Sequence, residues 1–168
     1  EEGTRICGNV GHWLDLTIHI FSWRDKLPNE YNINISYSNL DEVDDNISIT
    51  ITTEFNDIVS IMLTSRSEPF EGINETLNLQ YDKTIVKIDD FRKMTIWQDE
   101  KLINKKYWPK NVGHHKAILQ SFNTDKYKRD WREVENSTLL MLFITDMVIN
   151  KEINKIFNLK NEWEKINK

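Results

Sequence analysis

EGTRICGNVGHWLDLTIHIFSW, running from Glu2 to Trp23, opens on a glycine-punctuated start and closes as a run of large apolar side chains. Gly3, Gly8 and Gly11 predict an irregular, turn-like opening, because glycine tolerates backbone that other residues avoid. Trp13, Leu14, Leu16, Ile18, Ile20, Phe21 and Trp23 then predict a helix that is apolar almost all round, and such a helix belongs inside a protein. Three polar residues break it. His12, Asp15 and His19 recur at i, i+3 and i+7 and so share one side of the helix. An imidazole beside a glycine-rich turn is the first place to expect chemistry.

The chain outward from this stretch reads as strands, then helices. After a polar loop from Arg24 to Glu30, Tyr31, Ile33, Ile35 and Tyr37 alternate with polar residues, the period of a half-buried strand. Asn46 to Glu54 repeats the pattern through Ile47, Ile49 and Ile51, in the β-branched composition that strands favour. Phe55-Asn56-Asp57 supplies a turn and Ile58 to Ser65 the returning strand of a hairpin. Ser67 to Gly72, with Pro69, is a loop. Glu75 to Tyr81, Thr84 to Ile88, Phe91 to Gln98 and Lys101 to Trp108 continue the alternation, giving about seven strands by this period. Short turns imply antiparallel neighbours, and one-sided alternation implies one buried face and one available face. Gly113 to Phe122 and Trp131 to Val148 read as helices, the second with Val134, Leu139, Leu142, Phe143 and Met147 on a broad apolar face. The tail from Ile153 to Lys168 reads as a terminal amphipathic helix or a frayed end. The fold class expected is α+β, an open, mostly antiparallel sheet with helices packed on one face.

Composition narrows the function. A chain of 168 residues suits a single domain, 1–168, with a core that needs no disulfide. The net charge of −5 argues against nucleic acid as the main partner. Cys7 is the one cysteine, which fits a reducing, cytoplasmic setting. No apolar run approaches the ~18 residues of a membrane span, and no signal peptide is visible. Sequons begin at Asn34, Asn46, Asn74 and Asn136, as expected by chance in an Asn-rich chain. The opening at Glu1, directly on the glycine-rich stretch, suggests a piece of a longer protein.

His12, Asp15 and His19 invite a metal, but one helix face supplies three ligands where structural sites usually want four, so no metal is expected. His19 reads better as a buried, hydrogen-bonded side chain. His12, next to Gly11, is the one placed to face a cleft. His114 and His115 point about 100° apart on a helix and make a poor chelating pair. Asp44-Asp45 and Asp89-Asp90 read as turn residues. No serine sits in a nucleophile-type turn, and neither GxGxxG nor GxxxxGK[ST] occurs, so no phosphate-cradling loop is present.

Gly3-Thr4-Arg5-Ile6-Cys7-Gly8-Asn9-Val10-Gly11-His12-Trp13-Leu14-Asp15-Leu16 resembles the GGRIxGExxHFxDL stretch that opens the C-terminal domain of Gfo/Idh/MocA-type oxidoreductases. Further segments are similar in the same order: Phe55-Asn56-Asp57 to the F-x-DGS hairpin tip, Glu75 to Tyr81 with Ile88-Asp89-Asp90-Phe91-Arg92 to E-x-I-x-V…LDDFR, Val112-Gly113-His114 with Phe122 to KGH…F, and Trp131-Arg132-Glu133-Val134 with Thr138 to the final F-E-E…T helix. The resemblance covers about residues 3–150. It implies the substrate-binding and oligomerisation domain of an NAD(P)-dependent dehydrogenase acting on a hydroxyl-bearing carbon of a sugar, polyol or nucleotide-sugar. NAD or NADP would be held by an N-terminal Rossmann domain absent from this chain, so the fragment alone would be inactive. The bare sheet face would make a homo-oligomer. His12 falls on the family's active-site histidine, whose pKa near working pH suits proton transfer. Asp15 falls on an orienting carboxylate, with Arg5, Asn9 and Gly11 against the substrate. Two departures stand out: Gly8 and Asn9 occupy positions where the family commonly has an acid, and the hairpin tip lacks its glycine. Gly8 and Asn9 favour the alternative of a non-catalytic protein, a degenerate family member or a free-standing sheet module for sugar binding or subunit assembly, while the intact His12 and Asp15 favour the enzyme.

Overall fold

Residues 4–24, 26–43, 46–65, 75–107, 109, 114–123 and 130–166 are described in the computed structural model. Gly3, Asp44-Asp45, the Ser67 to Gly72 loop, the Asn74 sequon, Trp108 and Gly113 lie outside them. Contacts divide the chain, expected from its length to be one domain, into two compact units: Glu1–Ser67 with Arg129–Lys168, and Glu68–Lys128.

The first unit starts with a helix where the glycines suggested an irregular turn. Ile6–Val10 forms a π-helical turn that runs straight into α1, Gly11–Phe21. Gly11 is helical at φ −51° and ψ −40°, so its role is not conformational. A Cβ there would stand 2.8 Å from Met141 Sδ; glycine lets a second helix come close. Nor is α1 buried all round. Ile6, Val10, Leu14, Ile18 and Phe21 form one buried stripe, while Trp23 is 68% exposed.

The stripe packs on a four-stranded antiparallel sheet built from β1 (Glu30–Tyr37), β2 (Ile47–Thr53), β3 (Ile58–Leu63) and β8 (Asn154–Asn158), in the order β3-β2-β1-β8. Tyr31, Ile33 and Ile35 face Thr53, Ile51 and Ile49 across the register, and Phe157 lies opposite Tyr31. The tail is therefore not frayed: it supplies β8 beside β1 and then a short helix, Leu159–Ile166. The second long helix, Trp131–Ile149, completes the core through Leu140, Ile144, Met147 and Val148. Of the face expected from sequence, Met147 is buried and Leu139 and Phe143 pack against the core, whereas Val134 and Leu142 are about half exposed. The opposite sheet face carries Asn32, Asn34, Ser48, Thr50, Thr52 and Asn154, flanked by exposed Ile58, Met62 and Ile156.

The helices after α1 are α2 (His114–Asn123), α3 (Trp131–Ile149) and α4 (Leu159–Ile166). α1 and α3 meet along an antiparallel seam. Cys7 meets Thr145, Gly11 meets Met141, Asp15 meets Ser137 and His19 meets Glu133. Each four-residue step along one helix is answered by a four-residue step back along the other, as when i±4 ridges interlock.

The loop after α1 is strapped to the β2–β3 hairpin. Arg24 makes a bidentate pair with Asp57 and lies over the rings of Phe21 and Phe55. Asn56 takes φ 64°, supplying the left-handed backbone that the missing glycine would have given. Glu54 accepts the backbone N–H groups of Asn29 and Glu30.

The second unit holds the other four strands, as a separate sheet in the order β4-β5-β6-β7: β4 (Thr76–Tyr81), β5 (Thr84–Asp89), β6 (Lys93–Gln98) and β7 (Lys101–Tyr107). The single sheet expected from sequence is thus two, because alternation marks strands but not which of them pair. Phe91, expected in a strand, sits with Asp90 in a turn at φ 50°. Among the described residues no helix is long and apolar enough to cross a membrane.

Two outcomes follow from this packing. Ile33, fully buried at the centre of the first sheet, should cost about 2–5 kcal/mol of stability when replaced by alanine, through lost transfer energy and a residual cavity; urea denaturation monitored by far-UV circular dichroism measures it. Burial pushes the Asp57 carboxyl up, but the hydrogen bonds from Arg24 and Thr53 and the Arg24 charge outweigh it and hold the group below its ordinary 3.8. A lowered folded-state pKa means stability that is present above the unfolded value and lost as pH falls through the folded one. Asp57→Asn should therefore lower stability at neutral pH and flatten its decline below about pH 4; a pH series of thermal melts reads both effects.

Candidate functional site

The seam between α1 and α3 positions the candidate residues. Its sides are chemically mixed: apolar side chains turn to the sheet, and small or polar ones meet between the helices. Near the start of α1 the seam opens into a shallow pocket of about 260 Å³. Cys7, Gly11, His12 and Asp15 line one wall; Val134, Ser137, Thr138 and Met141 line the other. His12 is exposed at the rim. It lies two residues beyond the π-helical turn, a rare form that often accompanies functional sites.

The hydrogen bonds around the pocket can be assigned by counting protons. Thr145 spends its hydroxyl hydrogen on the Met141 carbonyl at 2.8 Å, so at Cys7 it acts as acceptor and the thiol donates across 3.3 Å. Thr138 likewise donates to the Val134 carbonyl at 2.7 Å and presents only lone pairs outward. Ser137 has one hydrogen and two acceptors in reach, Asp15 Oδ1 at 2.9 Å and the Val134 carbonyl at 3.0 Å. The carboxylate is the stronger acceptor, since charge-assisted bonds are roughly twice as strong as neutral ones. Asp15 is thereby anchored across the seam to α3.

The other sequence candidates separate from this pocket. His19 is half-exposed, with Nδ1 2.9 Å from Glu133 Oε2 and its ring edge-on to Trp23 at 5.8 Å. It shares the stripe with His12 and Asp15 but ties α1 to the first turn of α3. Arg5 donates from Nη2 to the Thr64 carbonyl at 3.2 Å, reaching the end of the β2–β3 hairpin. Asn9 is half-exposed, and neither Arg5 nor Asn9 lines the pocket. His115 is exposed on α2, in the other unit. Among the described residues no three His, Cys, Asp or Glu side chains gather to hold a metal ion.

Neither Ser137 nor Thr138 was expected in the site: Ser137 entered the sequence reading only in a sequon, and Thr138 only there and in the resemblance to the F-E-E…T helix. That sequon's Asn136 is buried and accepts from Trp163 Nε1 at 3.3 Å, which commits its side chain to packing. The available signal was Glu133, Asn136 and Ser137 at i, i+3 and i+4, a polar stripe inside an otherwise apolar helix that complements the stripe on α1.

A larger cleft of about 650 Å³ lies at the other end of the seam, lined by Arg24, Trp131, Glu135, Asn136, Leu159 and Trp163 among others. It is remote from His12 along α1. Burial raises the Glu135 carboxyl above its ordinary value, against the opposing Arg132 charge. Inside the core, burial first, then the Glu54 and Asp57 carboxylates, push the Tyr31 phenol well up, so Tyr31 stays neutral.

Every strand pairing is antiparallel, whereas the dinucleotide cradle needs a parallel βαβ turn, and both described glycines of the opening stretch lie within helix. Compared with known proteins, the chain matches no family model, no curated protein and no solved structure.

Proposed function

We propose that the chain is the substrate-binding and assembly domain of an NAD(P)-dependent oxidoreductase that acts on a hydroxyl-bearing carbon of a sugar or polyol. The observation that carries this reading is His12, exposed at the rim of a pocket whose opposite wall presents the hydroxyl oxygens of Ser137 and Thr138. Acceptor lone pairs predominate there, and a ligand rich in hydroxyl groups supplies the donors. Among the described residues no lysine or arginine lines the pocket, which favours an uncharged sugar or polyol over a nucleotide-sugar. In this reading His12 takes the proton from the substrate hydroxyl or returns it, the ordinary task of a positioned imidazole. Asp15, anchored by Ser137, keeps the pocket wall in register. NAD or NADP supplies the hydride chemistry from a separate nucleotide-binding domain.

A second reading is favoured by Asp15 itself. Its Oδ1 is taken by Ser137 across the helix seam, and Gly8 and Asn9 put no carboxylate beside His12. A non-catalytic module for sugar binding or subunit assembly accounts for both. In either reading the largely polar outer face of the β3-β2-β1-β8 sheet, with Glu30 as a charge at one end of β1, serves self-association, since an isologous contact must be complementary to itself and a face with few charges limits like-charge repulsion.

In the protein that carries this chain, His12→Ala should lower kcat/KM for its sugar or polyol by roughly 10²–10⁴, the usual worth of a positioned acid–base group, while leaving the melting temperature nearly unchanged. Normal turnover in that variant would remove His12 from the chemistry. Absence of dehydrogenase activity with NAD and NADP across a panel of sugars and polyols would leave the non-catalytic reading. For assembly, sedimentation velocity should show a dimer or larger species that Thr50→Arg, at the centre of the bare face, converts to monomer. A wild-type chain that stays monomeric at high micromolar concentration would rule this interface out.

A further inference from the structure

The β4-β5-β6-β7 sheet has two unlike faces. On one, Leu77, Leu79, Val86, Ile88, Met94 and Ile96 come together across the register. The other collects lysines around aromatic rings. Lys87 and Lys105 flank Thr95 in one row; Lys93 stands opposite Tyr107 in the next; Ile85, Trp97 and Leu102 make a third. Thr95 is buried, as expected where two long lysine stems lie over a short side chain. Tyr107 is 65% exposed, with Lys93 Nζ 6.0 Å and Lys105 Nζ 5.5 Å from its ring centroid. Asp89 is the one carboxylate among the described residues of this face, opposite Lys93 at its edge.

This arrangement has a chemical match. Single strands are bound by sheets that offer aromatic rings for base stacking and ammonium groups for phosphates, and a four-stranded antiparallel sheet can stack two or three bases this way. Lys87 and Lys105, two strands apart, are separated by about 10 Å at the backbone, a span that a flexible strand's phosphates can bridge. Ile85 and Leu102, 42% and 57% exposed, extend the platform beside Trp97. The overall charge of −5 hides this, because it averages two unlike units. Residues 68–128 carry eleven Lys and Arg against nine Asp and Glu, a net of +2.

We propose that the face bearing Lys87, Lys93, Lys105, Trp97 and Tyr107 is a docking surface for single-stranded nucleic acid, with Tyr107 stacking a base between two lysine-held phosphates. The site is independent of the His12 pocket, and neither reading depends on the other.

Fluorescence anisotropy of a labelled oligo(dT) titrated with the full chain tests it. Binding is expected at low ionic strength, with log K falling against log salt at a slope of about −2 for three phosphate contacts on a single strand. Tyr107→Ala should weaken binding roughly 5- to 150-fold, the range set by stacking of one base, while Tyr107→Phe retains it. Lys87→Ala combined with Lys105→Ala should reduce the slope to about −0.7. Circular dichroism of each variant separates lost contacts from lost fold. The proposal is overturned by no binding at low salt, by preference for duplex over single strand, or by binding that Tyr107→Ala leaves unchanged; the last would mean general attraction to polyanions, which dextran sulfate would reproduce.

Discussion

The antiparallel seam between α1 and α3 is the contact on which the first unit depends. α1 must satisfy two partners at once, a sheet that wants aliphatic side chains and a helix that comes close enough to require glycine. The buried stripe Ile6, Val10, Leu14, Ile18 and Phe21 advances mostly in steps of four. In a regular α-helix each such step drifts about 40° around the axis, since the turn holds 3.6 residues. The π-helical turn holds more residues per turn, so across Ile6–Val10 the drift reverses and Ile6 returns to the sheet-facing side. The same adjustment brings Cys7 against Thr145 in step with the later pairs. The unusual helix start therefore has a packing reason, and the pocket beside His12 lies where the adjusted turn meets the regular one.

Glu133 and Ser137 can be buried in the seam, and Asp15 partly so, because each finds its partner on the opposite helix. An unpaired Asp15 or Glu133 there would carry the full cost of desolvation. With Ser137 and His19 supplied across the gap, polarity fixes the register instead: sliding one helix by a turn would break both pairs together. Apolar contacts alone would tolerate such a slip more readily. The outer sheet face, with Asn154 bonded to both Asn32 and Asn34, shows the same economy at its centre, polar groups satisfied locally by neutral side chains.

Strand identity was legible in the sequence wherever β-branched residues alternate, as at Ile47, Ile49 and Ile51 or Ile33 and Ile35, because alternation is a local property. Sheet membership was not, since pairing is decided by distant segments; hence two sheets where one was expected, and a tail with isolated Ile156 and Phe157 that proves to be β8. A turn hid where a residue other than glycine adopts left-handed backbone, as at Phe91, while the Asp99-Glu100 turn showed as the gap between two alternating runs. Helix faces were readable only when polar and apolar residues separate cleanly. α1 and α3 are apolar on too many sides, so the buried stripe had to be chosen by the partner. His12 could be singled out from its setting, but Ser137 and Thr138, more than a hundred residues away, could not, and their hydroxyls give the pocket its acceptor character.

The position of β8 has a consequence for how the chain acquires its fold. β1, near one end of the sequence, is flanked by β2 and by a strand formed from residues 154–158, while residues 68–128 form a unit of their own between them. During synthesis the intervening sheet, built from hairpins of neighbouring strands, has all its pairings available early. The first sheet must wait with one side of β1 unpaired until residues 154–158 have emerged. Sequence separation of this kind slows folding, because loop closure precedes the contacts that reward it. The waiting edge, Tyr31-Asn32-Ile33-Asn34-Ile35, is alternating and β-branched, the kind of segment that recruits foreign strands. Its nascent exposure makes the interval before β8 arrives the point of greatest hazard for the newborn chain.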